Sequence, residues 1–264
     1  ALPICEKAVS HYRRALELGP DDPHRHSNLL LALNYEQALS PAEMRSEHES
    51  WAQRHALPSA RRSARPSTGP LRIGYVSGDF RNHSVAHFFE PILCNHDRER
   101  FTVSCYAEVA HEDDVTQRLR QGADHWCDTT TLSDDELIRQ IDKDGIDVLV
   151  DLAGHTQRHR LQALSAKPAP VMLTYLGYPN TTGLSAFDGR IVDEHTDPPQ
   201  QSEAHATEPL IRIAGGFLCY QARAEAPDVE DTPALQRGHL TFGSLNAAPK
   251  ITPRVVKRWS EIML

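Results

Sequence analysis

The sequence predicts an α/β protein, in which a helical N-terminal region precedes a mostly parallel sheet with helices on both faces. Three observations lead there. Residues 1–57 carry apolar positions at helical spacing. A stretch rich in Arg, Pro and small polar residues then breaks the pattern. Beyond it, short β-branched apolar runs alternate with amphipathic segments, and 264 residues with 39% hydrophobic content suffice for a packed core.

The elements follow in chain order. Ala8, Tyr12, Ala15 and Leu16 recur at i, i+4, i+7 and i+8 on one helical face, which Gly19-Pro20 terminates. A second helix starts after that turn. Ala8, Tyr12, Ala15 and Pro20 also have the spacing of the second half of a tetratricopeptide repeat, with Asn28-Leu29 where a next repeat would begin; an ordinary helical bundle accounts for the same pieces. Ser40-Pro41-Ala42-Glu43 is a capping box with proline at the first helical position, which predicts a helix over 41–55. Residues 58–70 read as a linker, since Arg61-Arg62-Ser63-Ala64-Arg65-Pro66 is basic and proline-containing. Strands are expected at 71–76, 101–106, 146–152, 171–176, 189–192, 210–213 and 240–242, and helices at 84–93, 115–121 and 133–143, the last behind a second capping box, Ser133-x-x-Glu136. The run at 240–242 opens a new sheet, so the chain divides into 1–57, 58–70, 71–236 and 237–264.

Composition removes several function classes. With 28 Lys and Arg against 36 Asp and Glu, a formal charge of -8 argues against a nucleic-acid binder held by a global positive field. No apolar run approaches the roughly 20 residues that cross a bilayer. The cysteines, Cys5, Cys94, Cys105, Cys127 and Cys219, are odd in number and widely spaced, which favours a reducing, cytoplasmic compartment over a disulfide framework or a thiolate metal site. The N-terminus carries no signal segment.

Ligands on parallel sheets bind beyond the carboxyl ends of the strands, so the loops after Val76, Leu152 and Leu176 carry the candidates. The first, Ser77-Gly78-Asp79-Phe80-Arg81-Asn82-His83-Ser84, feeds a helix N-terminus able to receive an anion, yet lacks the dinucleotide G-x-G-x-x-G. His83 there either does acid–base chemistry or caps the helix. After the expected third strand, Asp151-Leu152-Ala153-Gly154-His155-Thr156 sets a carboxylate and an imidazole at a strand mouth, suited to general-base work or to structural hydrogen bonds. The i, i+4 pairs His83/His87 and His155/His159 raise a metal reading, but no H-E-x-x-H accompanies them and 15 histidines make chance pairs common. Leu176-Gly177-Tyr178-Pro179-Asn180-Thr181-Thr182-Gly183 joins glycines with hydroxyls fit for a sugar, or forms a β-turn. Finally, Phe242-Gly243-Ser244-Leu245-Asn246-Ala247-Ala248-Pro249-Lys250 leads into a helix capped by Thr252 with Pro253 in its first turn, which puts a lysine beside a helix N-terminus where a diphosphate could sit.

In this order, Gly74-Tyr75-Val76-Ser77-Gly78-Asp79-Phe80 with Asn82-His83-Ser84, then Asp151 to Thr156, Lys167-Pro168-Ala169-Pro170-Val171, Leu176 to Gly183, and Phe242 to Asn246 with Pro249-Lys250-Ile251-Thr252, make the chain resemble the O-linked N-acetylglucosamine transferase family, including its bacterial homologues and the plant SPINDLY relatives. The resemblance covers nearly the whole chain. It implies tetratricopeptide repeats fused to a two-lobed GT-B glycosyltransferase with Rossmann-like lobes, of which the second is only begun here, its remainder missing from the sequence. It further implies inverting transfer of N-acetylglucosamine from UDP to serine or threonine of proteins, without metal or other cofactor, with acceptors recruited by the helical repeats. His83 matches a family histidine long proposed as general base and now better regarded as an active-site contact; Asp151 and His155 match the other base candidates, and Lys250 the lysine that neutralises the leaving diphosphate. Thr156, Gly177, Tyr178, Pro179, Thr181, Thr182 and Asn246 fall on substrate-binding positions. Ala247 stands where the animal enzymes carry glutamine, and Asn180-Thr181-Thr182 with Phe217-Leu218-Cys219-Tyr220 is closer to the SPINDLY side, some of whose members transfer fucose from GDP. A GDP-fucose transferase and a non-catalytic peptide-binding scaffold are thus the alternatives. Because the family keeps most nucleotide contacts in its second lobe, residues 1–264 alone are expected to hold the donor weakly and not to turn over.

Overall fold

In the computed structural model of the protein, residues 2–35, 39–59, 69–222 and 226–263 are described, with residues 2–6 as backbone only. Helices α1 (Leu2–Leu18), α2 (Pro23–Leu33) and α3 (Pro41–His55) open the chain. Local chemistry sets their ends. Gly19 N donates to Ala15 O at 3.0 Å where α1 stops. Asp22 caps α2 by accepting from His24 N and Arg25 N, both at 3.0 Å, with Pro23 at the first position. Ser40 and Glu43 form the expected capping box, and α3 has the predicted bounds. Residues 60–68, the heart of the expected linker, lie outside the described residues.

The sheet comprises β1 (Leu71–Ser77), β2 (Phe101–Ala107), β3 (His125–Asp128), β4 (Val148–Asp151), β5 (Val171–Thr174), β6 (Gly189–Val192) and β7 (Leu210–Arg212). Every pairing is parallel, in the order β3-β2-β1-β4-β5-β6-β7. The chain works outward from β1 to one edge, then returns to β4 and works outward to the other. The loops after β1 and β4 therefore part in opposite directions, leaving a crevice at the carboxyl edge.

Alternation along the strands builds two cores. Ile73, Tyr75, Val103, Cys105 and Val150 face α4 (Ser84–Cys94) and α5 (Asp114–Gly122) through Val85, Phe89, Leu93, Val115 and Leu119. Val76, Tyr106 and Leu149 face the other way, onto α6 (Asp134–Asp144) and α7 (Leu161–Ser165). That second core continues without a break into Leu29, Leu30, Leu33, Met44 and Trp51 of α2 and α3, so the N-terminal helices and the sheet share one apolar interior. Fully burying side chains of this size contributes about 1.5–3 kcal/mol each.

Two strand expectations change. His125–Asp128 forms a strand that the sequence does not announce, since no β-branched apolar run marks it; it is held by pairing with β2, from Ser104–His125 to Ala107–Asp128. The loop at Asp151 consequently follows the fourth strand, not the third. Conversely, residues 240–242 form no strand: Leu240 and Phe242 are 72% and 67% exposed, and no described segment offers their backbone a pairing partner. After β7, the described chain forms α8 (Pro233–Arg237), a 3-10 turn at Ala248–Lys250 and α9 (Pro253–Met263), none with a buried residue. No described helix is long and apolar enough to cross a membrane.

Gly177 marks the tightest backbone approach in the crevice, since a Cβ there would fall on the Leu152 carbonyl oxygen. Gly177→Ala is expected to lower unfolding stability by about 2–3 kcal/mol through overpacking against main chain that cannot give way. Urea denaturation checks this, with Gly243→Ala, where a Cβ meets nothing within 4 Å, as the neutral comparison.

Candidate active site at the carboxyl edge of the sheet

After β1, the chain turns sharply into α4. Asp79 is buried, its N–H donates to Ser77 Oγ at 2.9 Å, and its carboxylate lies 3.4 Å from Arg81 and 3.5 Å from His83 Nδ1. Burial pushes the Asp79 carboxyl up, opposed by the charges of His83 and Arg81. His83 takes the helix-capping place: its backbone is extended and its Nδ1 accepts from Val85 N at 3.3 Å. An Nδ1 that accepts leaves the ring proton on Nε2, so the neutral ring is a donor at its other edge. The side chain remains 36% exposed, so that edge is open to a ligand.

After β4, Asp151 is fully enclosed. Its carboxylate accepts from Ala153 N at 3.1 Å, Gly154 N at 2.8 Å and Thr174 Oγ1 at 3.2 Å, which closes the turn and ties it to β5. Burial raises its pKa to about 6, against the pull of those hydrogen bonds. His155 is buried with both ring nitrogens engaged: Nε2 lies 2.8 Å from the Thr182 carbonyl and Nδ1 2.9 Å from Ser27 Oγ. A carbonyl only accepts, so Nε2 donates and Nδ1 receives the Ser27 hydroxyl proton. Burial holds the imidazole well below its ordinary pKa, hence neutral. Thr156 Oγ1 donates to Ala153 O at 2.8 Å at the rim of the crevice.

The loop after β5 turns inward. Tyr178 is buried against His155, and its hydroxyl meets Asn34 Nδ2 and His48 Nε2, each at 2.8 Å. His48 Nδ1 donates to Met44 O at 2.7 Å, so its Nε2 accepts the Tyr178 proton. Pro179 is exposed, and its carbonyl accepts from Arg190 at 3.4 Å. Thr181 and Thr182, both fully buried, close on Glu208: Thr181 Oγ1 and Thr182 N donate at 2.7 Å, and Thr182 Oγ1 adds a third bond. These threonines and Tyr178 fasten the loop to the helices and to the β6–β7 connection, with their polar atoms turned to protein.

The junction thus formed is a core of neutral rings. Trp51 is buried with its ring centroid 4.9 Å from that of His155, 5.3 Å from His55 and 5.8 Å from His159, and its Nε1 donates to Pro23 O at 2.9 Å. His26 Nδ1 and His55 Nε2 share a hydrogen bond of 3.0 Å. Sequence reasoning singled out His155 and His159 but overlooked the rings packed around them, His26, His48, Trp51 and His55, together with Ser27, Asn34 and Glu208. One signal was available: His48, Trp51 and His55 stand three and four residues apart, on one face of α3. The pair His155/His159, spaced as on a helix, instead lies in a turn.

A cleft of ≈ 550 Å³ opens between α2 and the loops after β3 and β4, lined in part by His24, Asn28, Thr130, Thr156, Arg158 and Gln162. Asn246 and Lys250 lie outside it, exposed on the segment after α8; Asn246 bonds to Ser244 Oγ, and Thr252 Oγ1 caps α9 by accepting from Val255 N at 3.3 Å. Among the described residues, no hydrogen bond joins either to the loops after β1, β4 and β5.

Glycosyl transferase family 41 matches residues 24–225 of this chain. The probable UDP-N-acetylglucosamine–peptide N-acetylglucosaminyltransferase SPINDLY of Oryza sativa subsp. japonica is 37% identical over 264 residues, which is 97% of this chain and 28% of that protein. SEC of Arabidopsis thaliana, likewise named a probable UDP-N-acetylglucosamine–peptide N-acetylglucosaminyltransferase, is 31% identical over 202 residues, 73% of this chain and 21% of that one. Among solved structures, a mutant Thermobaculum terrenum O-GlcNAc transferase superposes with a TM-score of 0.91 at 36% identity, covering 98% of this chain and 50% of that chain. The chain therefore spans under a third of the curated relatives and half of the structural neighbour.

The ring core fixes a pH dependence. His26 and His159 are brought down to about 4 and about 3, chiefly by burial, from an ordinary 6.5, and His48, His55 and His155 shift the same way. The unfolded chain therefore binds more protons below pH 6.5, so stability is complete above that pH and declines as pH falls toward 4. Asp151, at about 6 when folded against 3.8, works in the opposite sense between those values and is outnumbered. Denaturation between pH 7.5 and 5 is expected to show stability falling by at least about 1.4 kcal/mol per unit below pH 6.5; a flat profile would contradict the neutral core.

Proposed function

The chain belongs to glycosyl transferase family 41, and from that membership we propose that it transfers N-acetylglucosamine from its UDP conjugate to serine or threonine hydroxyls of protein acceptors. One observation carries this most: the matched segment, 24–225, contains the whole carboxyl-edge crevice, with the loops after β1, β4 and β5 converging on it. In this reading, 71–236 is the first Rossmann-like lobe of a GT-B enzyme, 237–264 opens the second, and α1–α3 end a tetratricopeptide array that presents acceptors. The names of the relatives support N-acetylglucosamine over fucose. The described cysteines, Cys94, Cys105, Cys127 and Cys219, are free thiols, which supports a cytoplasmic enzyme.

The proposed step is in-line displacement. The acceptor oxygen attacks the anomeric carbon from the face opposite UDP; a C–O bond to the acceptor forms, the C–O bond to the diphosphate breaks, and the configuration inverts. The hydroxyl proton leaves to a base, and the bonding pair departs with the diphosphate. His83 suits a contact role, with its Nε2–H directed to an oxygen of the substrates. Asp151 and His155 act from within the protein, by fixing the turn that carries Thr156 and the backbone of Gly177. Lys250 is assigned to the leaving diphosphate, as a point charge at the start of α9. No metal is invoked in this step.

Mass spectrometry of a serine peptide incubated with the full-length protein, chelator and either UDP-N-acetylglucosamine or GDP-fucose tests the reading. Addition of N-acetylglucosamine alone is expected; fucose addition, or none, overturns it. Lys250→Ala in the full-length protein is expected to lower kcat about 100-fold or more, and normal turnover would remove the lysine from this role.

A further inference from the structure

Four described residues other than glycine have a left-handed backbone: Arg158, Lys167, Leu176 and Gln200. For an L-residue that conformation is strained and persists only where the surroundings require it. Three have local explanations. Lys167 Nζ reaches both Asp188 carboxylate oxygens at 2.7 Å, Leu176 packs on the core facing α4, and Gln200 lies in an exposed turn. Arg158, at φ 61°, is exposed and makes no hydrogen bond or ion pair among the described residues.

Its setting is specific. Gly78, in the loop that leads to His83, comes so near that a Cβ there would lie 2.8 Å from Arg158 Cβ. Arg158 therefore stands where the β1 loop meets the cleft beside α2, and lines that cleft. The other cleft arginine is consumed: Arg160 binds Glu108 at 2.8 Å, Asp134 at 3.0 Å and the carbonyls of Thr129 and Leu132. His159 is neutral at pH 7, with burial holding it near 3. Glu108 and Asp134 also line the cleft, but both carboxylates are bound by Arg160, which leaves Arg158 as the cleft guanidinium without a bonded partner among the described residues, beside amides and hydroxyls of Asn28, Gln162, Thr130 and Thr156 that pair with a polypeptide backbone. A planar five-donor fork without a partner matches a carboxylate.

We propose that Arg158 selects the acceptor: it binds a side-chain carboxylate near the accepting serine or threonine, so that this protein prefers acceptor segments with a flanking Asp or Glu. The inference rests on the transferase reading for the identity of the segment. Arg158 touches the acceptor away from the reacting atoms, and its contribution is the same before and during transfer, so it lowers KM for acidic acceptors without raising kcat.

The test uses the full-length protein and paired peptides that differ by Glu or Gln beside one serine. Wild-type protein is expected to favour the Glu peptide about 10-fold in kcat/KM and in direct binding by fluorescence anisotropy, less so at 0.5 M salt. Arg158→Asn, which tolerates the left-handed backbone, is expected to bring the ratio to about 1, and Arg158→Lys to restore part of it. Binding is read apart from transfer. If no peptide is glycosylated but the wild type still prefers Glu and Arg158→Asn does not, the carboxylate site stands and the transferase reading fails. Equal handling of the two peptides by the wild type overturns the inference, as does an Arg158→Asn protein with an altered KM for the sugar nucleotide and an unchanged peptide preference.

Discussion

The packing of neutral rings around Trp51 is the constraint on which the rest of the structure depends. His155 bonds upward to Ser27 of α2 and across to the Thr182 carbonyl, so one imidazole joins the N-terminal helices, the turn after β4 and the loop after β5. Protonation would turn its acceptor nitrogen into a donor facing the Ser27 hydroxyl oxygen and place a charge in a desolvated interior, which is why burial and neutrality go together here. The cleft beside α2 exists because these three pieces are held in one arrangement. Asp151 performs the corresponding work from the sheet side, tying its turn to Thr174 of β5.

This arrangement separates side chains left open at the crevice from those spent on holding it together. His83 keeps an open edge at the crevice and Arg158 has no bonded partner among the described residues, while Tyr178, Thr181 and Thr182 spend their polar atoms on Asn34, His48 and Glu208. A loop rich in hydroxyls therefore turns them to protein, and what it offers the crevice is the path of its backbone, with Gly177 laid against Leu152.

Local chemistry made much of the fold legible. The capping boxes at Ser40 and Ser133, the stop at Gly19-Pro20 and the β-branched runs of β1, β2 and β6 each act within a few residues, so sequence alone reveals them. What escaped depends on distant partners. The polar segment His125–Asp128 becomes a strand because β2 offers an edge, whereas the apolar run at 240–242 stays irregular because nothing described pairs with it. The same holds at the site. Motif order pointed to loops that the fold brings to the carboxyl edge of the sheet, but the direction of the Tyr178 side chain is decided by Asn34 and His48, 144 and 130 positions earlier, and no local pattern encodes those pairings.

The central claim is that the N-terminal helices and the carboxyl edge of the sheet are one cooperative unit, locked by the ring core. Native-state hydrogen exchange at pH 7.5 tests it most directly, by comparing amides of α2 and α3 with those of β1 and β4. The account predicts that both groups open with the same free energy, at the global limit. Opening of α2 and α3 several kcal/mol below β1 and β4 would contradict it, since the helices would then leave the sheet without disturbing the crevice.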